Sequence, residues 1–65
     1  MSRFAVAIAN LFTQEVKIKF VDMASSPEEA AKALDSEIPE NLTTMEDIQG
    51  WYLDSDQAIA VEEVP

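Results

Sequence analysis

Large apolar side chains alternate with small or charged ones near both ends of the chain, and the pattern switches to a helical spacing in the middle. From Arg3 to Asn10, Phe4, Val6 and Ile8 fall on one side and Ala5, Ala7 and Ala9 on the other, the two-residue period of a strand. Leu11 to Gln14 is a polar-tipped connection. The alternation resumes from Glu15 to Met23, with Val16, Ile18 and Phe20 on one face and Lys17, Lys19 and Val21 on its reverse. The two runs are close enough to pair as an antiparallel hairpin across a loop of about four or five residues. Joining their larger apolar sets predicts one core face made of Phe4, Val6, Ile8, Val16, Ile18 and Phe20.

The stretch Ser26-Pro27-Glu28-Glu29-Ala30-Ala31-Lys32-Ala33-Leu34 carries several helix-start features together. Ser26 can cap, Pro27 suits the first helical position, Glu29 completes a capping box, and both glutamates sit at the positive end of the helix dipole. The expected helix runs from Pro27 to about Glu37 with Ala30, Ala31, Leu34 and Ile38 as its apolar stripe, and Pro39 stops it. A second capping pattern, Thr43-Thr44-Met45-Glu46, predicts a short helix ending near Gln49, where Gly50 is placed to terminate it. Trp51, Tyr52 and Leu53 follow, then a turn at Asp54-Ser55-Asp56. Gln57 to Val64 reads as a third strand, with Ile59 and Val61 facing the core and Ala58, Ala60 and Glu62 facing away.

The order β-β-α-α-β is that of a single small α+β domain over residues 1–65, a three-stranded antiparallel sheet covered on one face by one helix and a short second helix. Neither strand order nor oligomeric state follows from the pattern. At 65 residues one modest core is all the chain can build. With no cysteine, neither disulfides nor thiolate metal sites contribute, and a reducing cytoplasm is the expected location. The apolar run from Phe4 to Ala9 is too short for a membrane span or a signal sequence.

Charge divides the chain unequally. Residues 1–20 hold Arg3, Lys17 and Lys19 against Glu15, whereas from residue 21 onward twelve acids face Lys32 alone, for a net charge of −9. Such a surface repels nucleic acid and anionic membranes and attracts basic partners. Ordinary solubility would also explain the balance.

Catalytic chemistry is poorly provided for. Histidine and cysteine are absent, so the common nucleophile constellations are missing. Asp54 with Asp56, or Glu62 with Glu63, could serve as an acid and base pair, but a glycosidase needs a cleft that a chain of this length can hardly enclose. Asp54-Ser55-Asp56 opens like a calcium loop yet lacks the glycine and the distal glutamate that complete one. A lone glycine excludes a phosphate-binding loop. No enzyme, cofactor or metal is expected.

Two interaction surfaces remain. The reverse of the sheet would present Ala5, Ala7, Ala9, Ala58 and Ala60, flanked by Lys17, Lys19, Val21 and Glu62, a face that a second copy or a larger assembly could approach closely. Glu28, Glu29, Asp35, Glu37, Glu40, Glu46, Asp47, Asp54 and Asp56 lie on the helices and loops beside Trp51 and Tyr52. Carboxylates distributed in this way can imitate the phosphates of a duplex, with Trp51 as a desolvated anchor. Trp51, Tyr52 and Met45 are also placed to plug the open end of the core, a role compatible with the first.

In its overall plan the chain resembles the small acidic proteins that bacteriophages make to bind and block host enzymes or defence systems. The points of likeness are the short length, the hairpin-helix-strand reading, the acidic excess and the lack of a catalytic constellation. That resemblance implies a non-enzymatic inhibitor in the host cytoplasm acting on a basic, nucleic-acid-processing or defence protein as a DNA mimic. The alternative is an assembly module that dimerises or docks through the alanine-lined face.

Overall fold

The computed structural model describes residues 2–65 and shows an α+β fold in the order β1 (Ser2–Asn10), β2 (Val16–Ala24), α1 (Pro27–Leu34), α2 (Met45–Leu53) and β3 (Gln57–Val64). The strands form one antiparallel sheet with β1 in the centre, in the order β2-β1-β3. Both helices lie on the same side of it. The core sits between the layers: Phe4 and Val6 from β1, Ala24 from β2, Ala30 and Ala31 from α1, Ile38 from the following loop, Ile48 and Tyr52 from α2, and Ile59 from β3. As the alternation predicts, Ile59 lies opposite Ile8 and Val61 opposite Val6 on the inner face.

The expected inner face of β2 is wrong by one residue. In the β1–β2 ladder Val6 faces Lys19 and Ile8 faces Lys17, while Ala5, Ala7 and Ala9 face Phe20, Ile18 and Val16. Because directly opposed residues share a face, Lys17, Lys19 and Val21 belong to the helix side. Val16, Ile18 and Phe20 join the alanines on the outer side. The loop sets this register. Asn10 N–H donates to the Glu15 carbonyl at 2.8 Å, closing a four-residue connection, and Gln14 N–H returns to the Asn10 carbonyl at 2.8 Å. The Asn10 side-chain oxygen accepts from Phe12 and Thr13 N–H at 2.9 and 3.1 Å, and Gln14 takes φ 64° to complete the reversal. Four residues between the closing pair put even positions of β1 opposite odd positions of β2. Burying Val16, Ile18 and Phe20 would have required an odd number.

A bulge restores the other parity at the far end of the hairpin. Phe4 pairs with Val21 but Ser2 pairs with Ala24, with Met23 at φ 64° absorbing the extra residue. Ala24 thereby turns inward and is buried, which starts the connection to α1 on the core side.

Helix α1 begins where the capping residues predict. Ser26 Oγ accepts from Glu29 N–H at 3.1 Å, whereas the Glu29 carboxylate reaches back to Ser25 and accepts from its N–H at 3.3 Å and from its hydroxyl. It stops at Leu34, earlier than the proline alone would dictate, because Asp35 is extended at φ −128° and ψ 101°. Ile38 still reaches the core, but from an irregular turn rather than a helical stripe.

Helix α2 is longer than expected. Thr44 caps it by accepting from Asp47 N–H at 3.1 Å, and the helix continues through Gly50 to Leu53. Continuation is favoured by burial, since Ile48 and Tyr52 are one turn apart and both face the core. Gly50 sits on the opposite side, where an added Cβ would meet nothing within 4 Å, and its φ is not positive. Gly50→Ala is therefore expected to raise stability by about 0.5–1 kcal/mol, read as a higher urea midpoint. A lower midpoint would mean that the helix does not pass through this position.

Candidate protein-interaction surfaces

The fold sorts charge by layer. The helical layer and its connections, residues 25–56, contain nine acids and Lys32, while the rest of the chain holds Glu15, Asp22, Glu62 and Glu63 against Arg3, Lys17 and Lys19. Three of the nine are engaged in holding the layer together. Glu29 caps α1, Glu28 accepts from Met45 N–H at 3.1 Å and so ties α1 to the start of α2, and Asp35 accepts from the Tyr52 hydroxyl at 2.6 Å and from Glu37 N–H at 3.0 Å. Glu37, Glu40, Glu46, Asp47, Asp54 and Asp56 are exposed, and no ion pair or hydrogen bond to their carboxylates is found among the described residues. Lys32 donates instead to the Glu40 backbone carbonyl at 3.1 Å.

Tyr52 leaves the expected contact set. Its residue is 2% exposed, and its ring packs edge-on against Trp51 with centroids 5.1 Å apart. Burial first, then the hydrogen bond and the charge of Asp35, hold its phenol far above the usual range. Trp51 is half-buried. It packs against the core on one side and, on the other, lines a groove of about 380 Å³ together with Leu42, Glu46, Asp47, Gly50 and Asp54. Glu46, Gly50 and the C-cap Asp54 recur every fourth residue along the outward side of α2, and the missing side chain at Gly50 leaves the groove floor open. Apolar wall, aromatic edge and three carboxylates are what a lysine or arginine side chain needs: cover for its stem and countercharge for its head. Gly50 and Leu42 were not among the expected contact residues: Gly50 was expected to end the helix rather than lie within it, and Leu42 reaches the groove only through tertiary packing.

A second cleft, of about 310 Å³, opens where α1 and α2 fail to cover β2. Val6, Ile8, Lys17, Lys19, Leu34, Asp35, Tyr52 and Gln57 line it. Its lysines were expected on the reverse of the sheet, and the odd-for-even register of the hairpin brings them here, beside Asp35. Asp54-Ser55-Asp56 forms a turn with Asp56 at φ 57°, as the sequence suggests. No cluster of three or more metal-ligating side chains occurs among the described residues, nor is any described helix long and apolar enough to cross a membrane.

The outer side of the sheet carries Ala5, Ala7, Ala9, Ala58 and Ala60 as expected, with Glu62 beside them. In place of the lysines it bears Val16, Ile18 and Phe20, exposed by 60, 62 and 53%. The length of the hairpin loop was the signal that could have revealed this. Arg3 lies on the same side, its guanidinium 4.4 Å from the centre of the Phe20 ring and its Nε 3.2 Å from the Asp22 carboxylate.

Among known proteins, no family model, no curated protein and no solved structure matches the chain.

Proposed function

We propose that the protein is a non-enzymatic acidic binding protein that inhibits or modulates a basic partner through its helical layer. The observation that carries this reading is the groove on α2, where Glu46, Asp47 and Asp54 surround Trp51 over an open Gly50 floor. An arginine or lysine of the partner would occupy it, and Glu37, Glu40 and Asp56 would extend the negative field around that contact. A nucleic-acid-processing or defence enzyme is the partner class favoured, since its basic groove is built to receive closely spaced negative charges. The likeness in plan to phage proteins that block host enzymes fits the same reading.

Trp51 is the chain's one tryptophan, so its emission reports on the groove directly. Titration with an oligoarginine peptide should change that emission, and the affinity should fall steeply as salt is raised. Glu46→Lys with Asp47→Lys should weaken binding by roughly tenfold or more, equivalent to about 1.4 kcal/mol. Gly50→Ala should weaken it too while stabilising the fold, which separates the groove from general folding effects. Unchanged emission, or an affinity indifferent to salt, would count decisively against the proposal.

The outer sheet face supports a second reading, an assembly module, and the exposed row of Val16, Ile18 and Phe20 is the specific observation that favours it.

A further inference from the structure

The geometry points to a specific homodimer in which two copies pack their outer sheet faces together, the β2 ridge of each seated over the β3 alanines of the other. This deepens the assembly reading and does not depend on the acidic groove. Three rows of the sheet define the surface: Phe20-Ala5-Glu62, Ile18-Ala7-Ala60 and Val16-Ala9-Ala58, each written from β2 across β1 to β3. One edge of the face is tall and apolar, and the remainder is flat. A two-fold axis along the strands, above β1, turns this asymmetry into self-complementarity. It brings Ile18 over the partner's Ala60 and Val16 over the partner's Ala58, filling low positions with high ones as in the core of a two-sheet sandwich.

Charge agrees with the same axis. Phe20 lies over the partner's Glu62, and Phe20 is already covered by the Arg3 guanidinium at 4.4 Å. Each Arg3, already paired with its own Asp22 at 3.2 Å, is thereby brought toward a second carboxylate from the other copy. The acidic layers point away from each other. The molecule is 17 Å thick along its shortest axis, so two layers facing outward are separated by well over the screening distance of about 8 Å at physiological salt. Pairing through the helical side would instead oppose like charges.

The size fits a weak, concentration-dependent dimer. Four rows of outward side chains, from Arg3 and its ladder partner Val64 to the Val16-Ala9-Ala58 row, cover about 14 by 27 Å at ordinary strand spacings. Two such faces amount to about 800 Å² before side-chain relief, and the projecting ridge raises this toward the lower limit of about 1,000–1,200 Å² for specific association.

Sedimentation equilibrium across the micromolar range tests the assignment. The intact chain should approach twice its 7.2 kDa mass as concentration rises, and self-association should strengthen as sodium sulfate is raised from about 0.15 to about 1 M, because the face is mainly apolar and an excluded salt favours its burial. That is the reverse of the salt response expected of the acidic groove, so either idea can fail without the other. Ile18→Glu should give a monomer with an unchanged far-ultraviolet circular dichroism spectrum. Ala60→Phe, which fills the low position, should dissociate the dimer on its own. Mixing Ala60→Phe with Ile18→Ala should restore a heterodimer, because the new ring then faces a vacated site. A monomeric intact chain throughout the range would overturn the proposal. So would a dimer that survives both Ile18→Glu and Ala60→Phe, and a mixture that stays monomeric would overturn the assigned axis.

Discussion

Ile48→Ala is expected to remove a large share of the fold's stability and to lower its urea midpoint sharply. Ile48 is fully buried at the centre of the core, projecting from α2 toward the sheet beside Tyr52. Truncating a buried isoleucine to alanine removes apolar contact and leaves a cavity, at a cost of about 2–5 kcal/mol. A domain of this length has roughly 3–10 kcal/mol in total. Nothing nearby can collapse cheaply into the gap, because two helices and three strands already close around it. Urea unfolding followed by circular dichroism gives the measurement. A loss below about 1 kcal/mol would contradict the central position of Ile48. The informative control is Phe20→Ala on the opposite side of the sheet. Phe20 is larger and lies in a strand, yet it is half-exposed on the outer face, so below the dimerisation range the same truncation should cost about 1 kcal/mol or less. If the two costs were reversed, the register of the hairpin would be the feature in error.

Tyr52→Phe should separate a hydrogen-bond contribution from a packing contribution, and the separation depends on pH. The ring stays in the core, but the 2.6 Å bond from the hydroxyl to Asp35 disappears, which should cost about 1–2 kcal/mol at neutral pH. Asp35 is only partly buried and can be rehydrated, which keeps the loss in that range. In the folded chain the phenol is raised far above its ordinary value of 10.0, chiefly by burial and further by Asp35. The proton is therefore retained in the folded state under conditions where the unfolded state gives it up. A group of this kind stabilises fully below the unfolded value. Its contribution declines as pH rises beyond about 10, by about 1.4 kcal/mol for each pH unit. The intact protein should thus lose stability steeply in alkali, and Tyr52→Phe should lack that component. All other side chains are common to the two proteins, so the difference between them isolates the phenol. Parallel pH profiles above pH 10 would show that the phenol is not held as described.

Both expected results rest on features that the chain discloses unequally. The third strand is readable from Ala58 to Val61, where small and large apolar residues alternate, and it pairs along its whole length with a central neighbour. The start of α1 is equally plain, since capping is a local interaction between residues three apart. The end of α1 is less so. Asp35 leaves helical geometry at a point where its carboxylate meets a tyrosine seventeen positions later. Gly50 misleads for a related reason. As a local signal it stops a helix, but burial of Tyr52 one half-turn beyond rewards continuing through it.

The largest departure concerns Val16, Ile18 and Phe20, and it bears on function as well as fold. Their alternation is correct, and so is the membership of each face; what failed was the assumption that both strands of the hairpin turn their larger residues the same way. A strand's period says which residues stand together and nothing about the side on which they stand. That is fixed by the number of residues between the closing pair, here the four from Leu11 to Gln14, held by Asn10 and the left-handed Gln14.

The candidate contacts divide in the same way. The amino-acid order by itself determined the strand periods, the capped helix starts, the acidic excess and the lack of histidine and cysteine, because each depends on neighbours or on simple sums. Tertiary structure alone decided which carboxylates are engaged in the fold, that Trp51 and Gly50 share a groove, and that three large apolar side chains stand outside the core. Those outcomes depend on the register between strands and on what covers each face, and both arise only when distant segments meet.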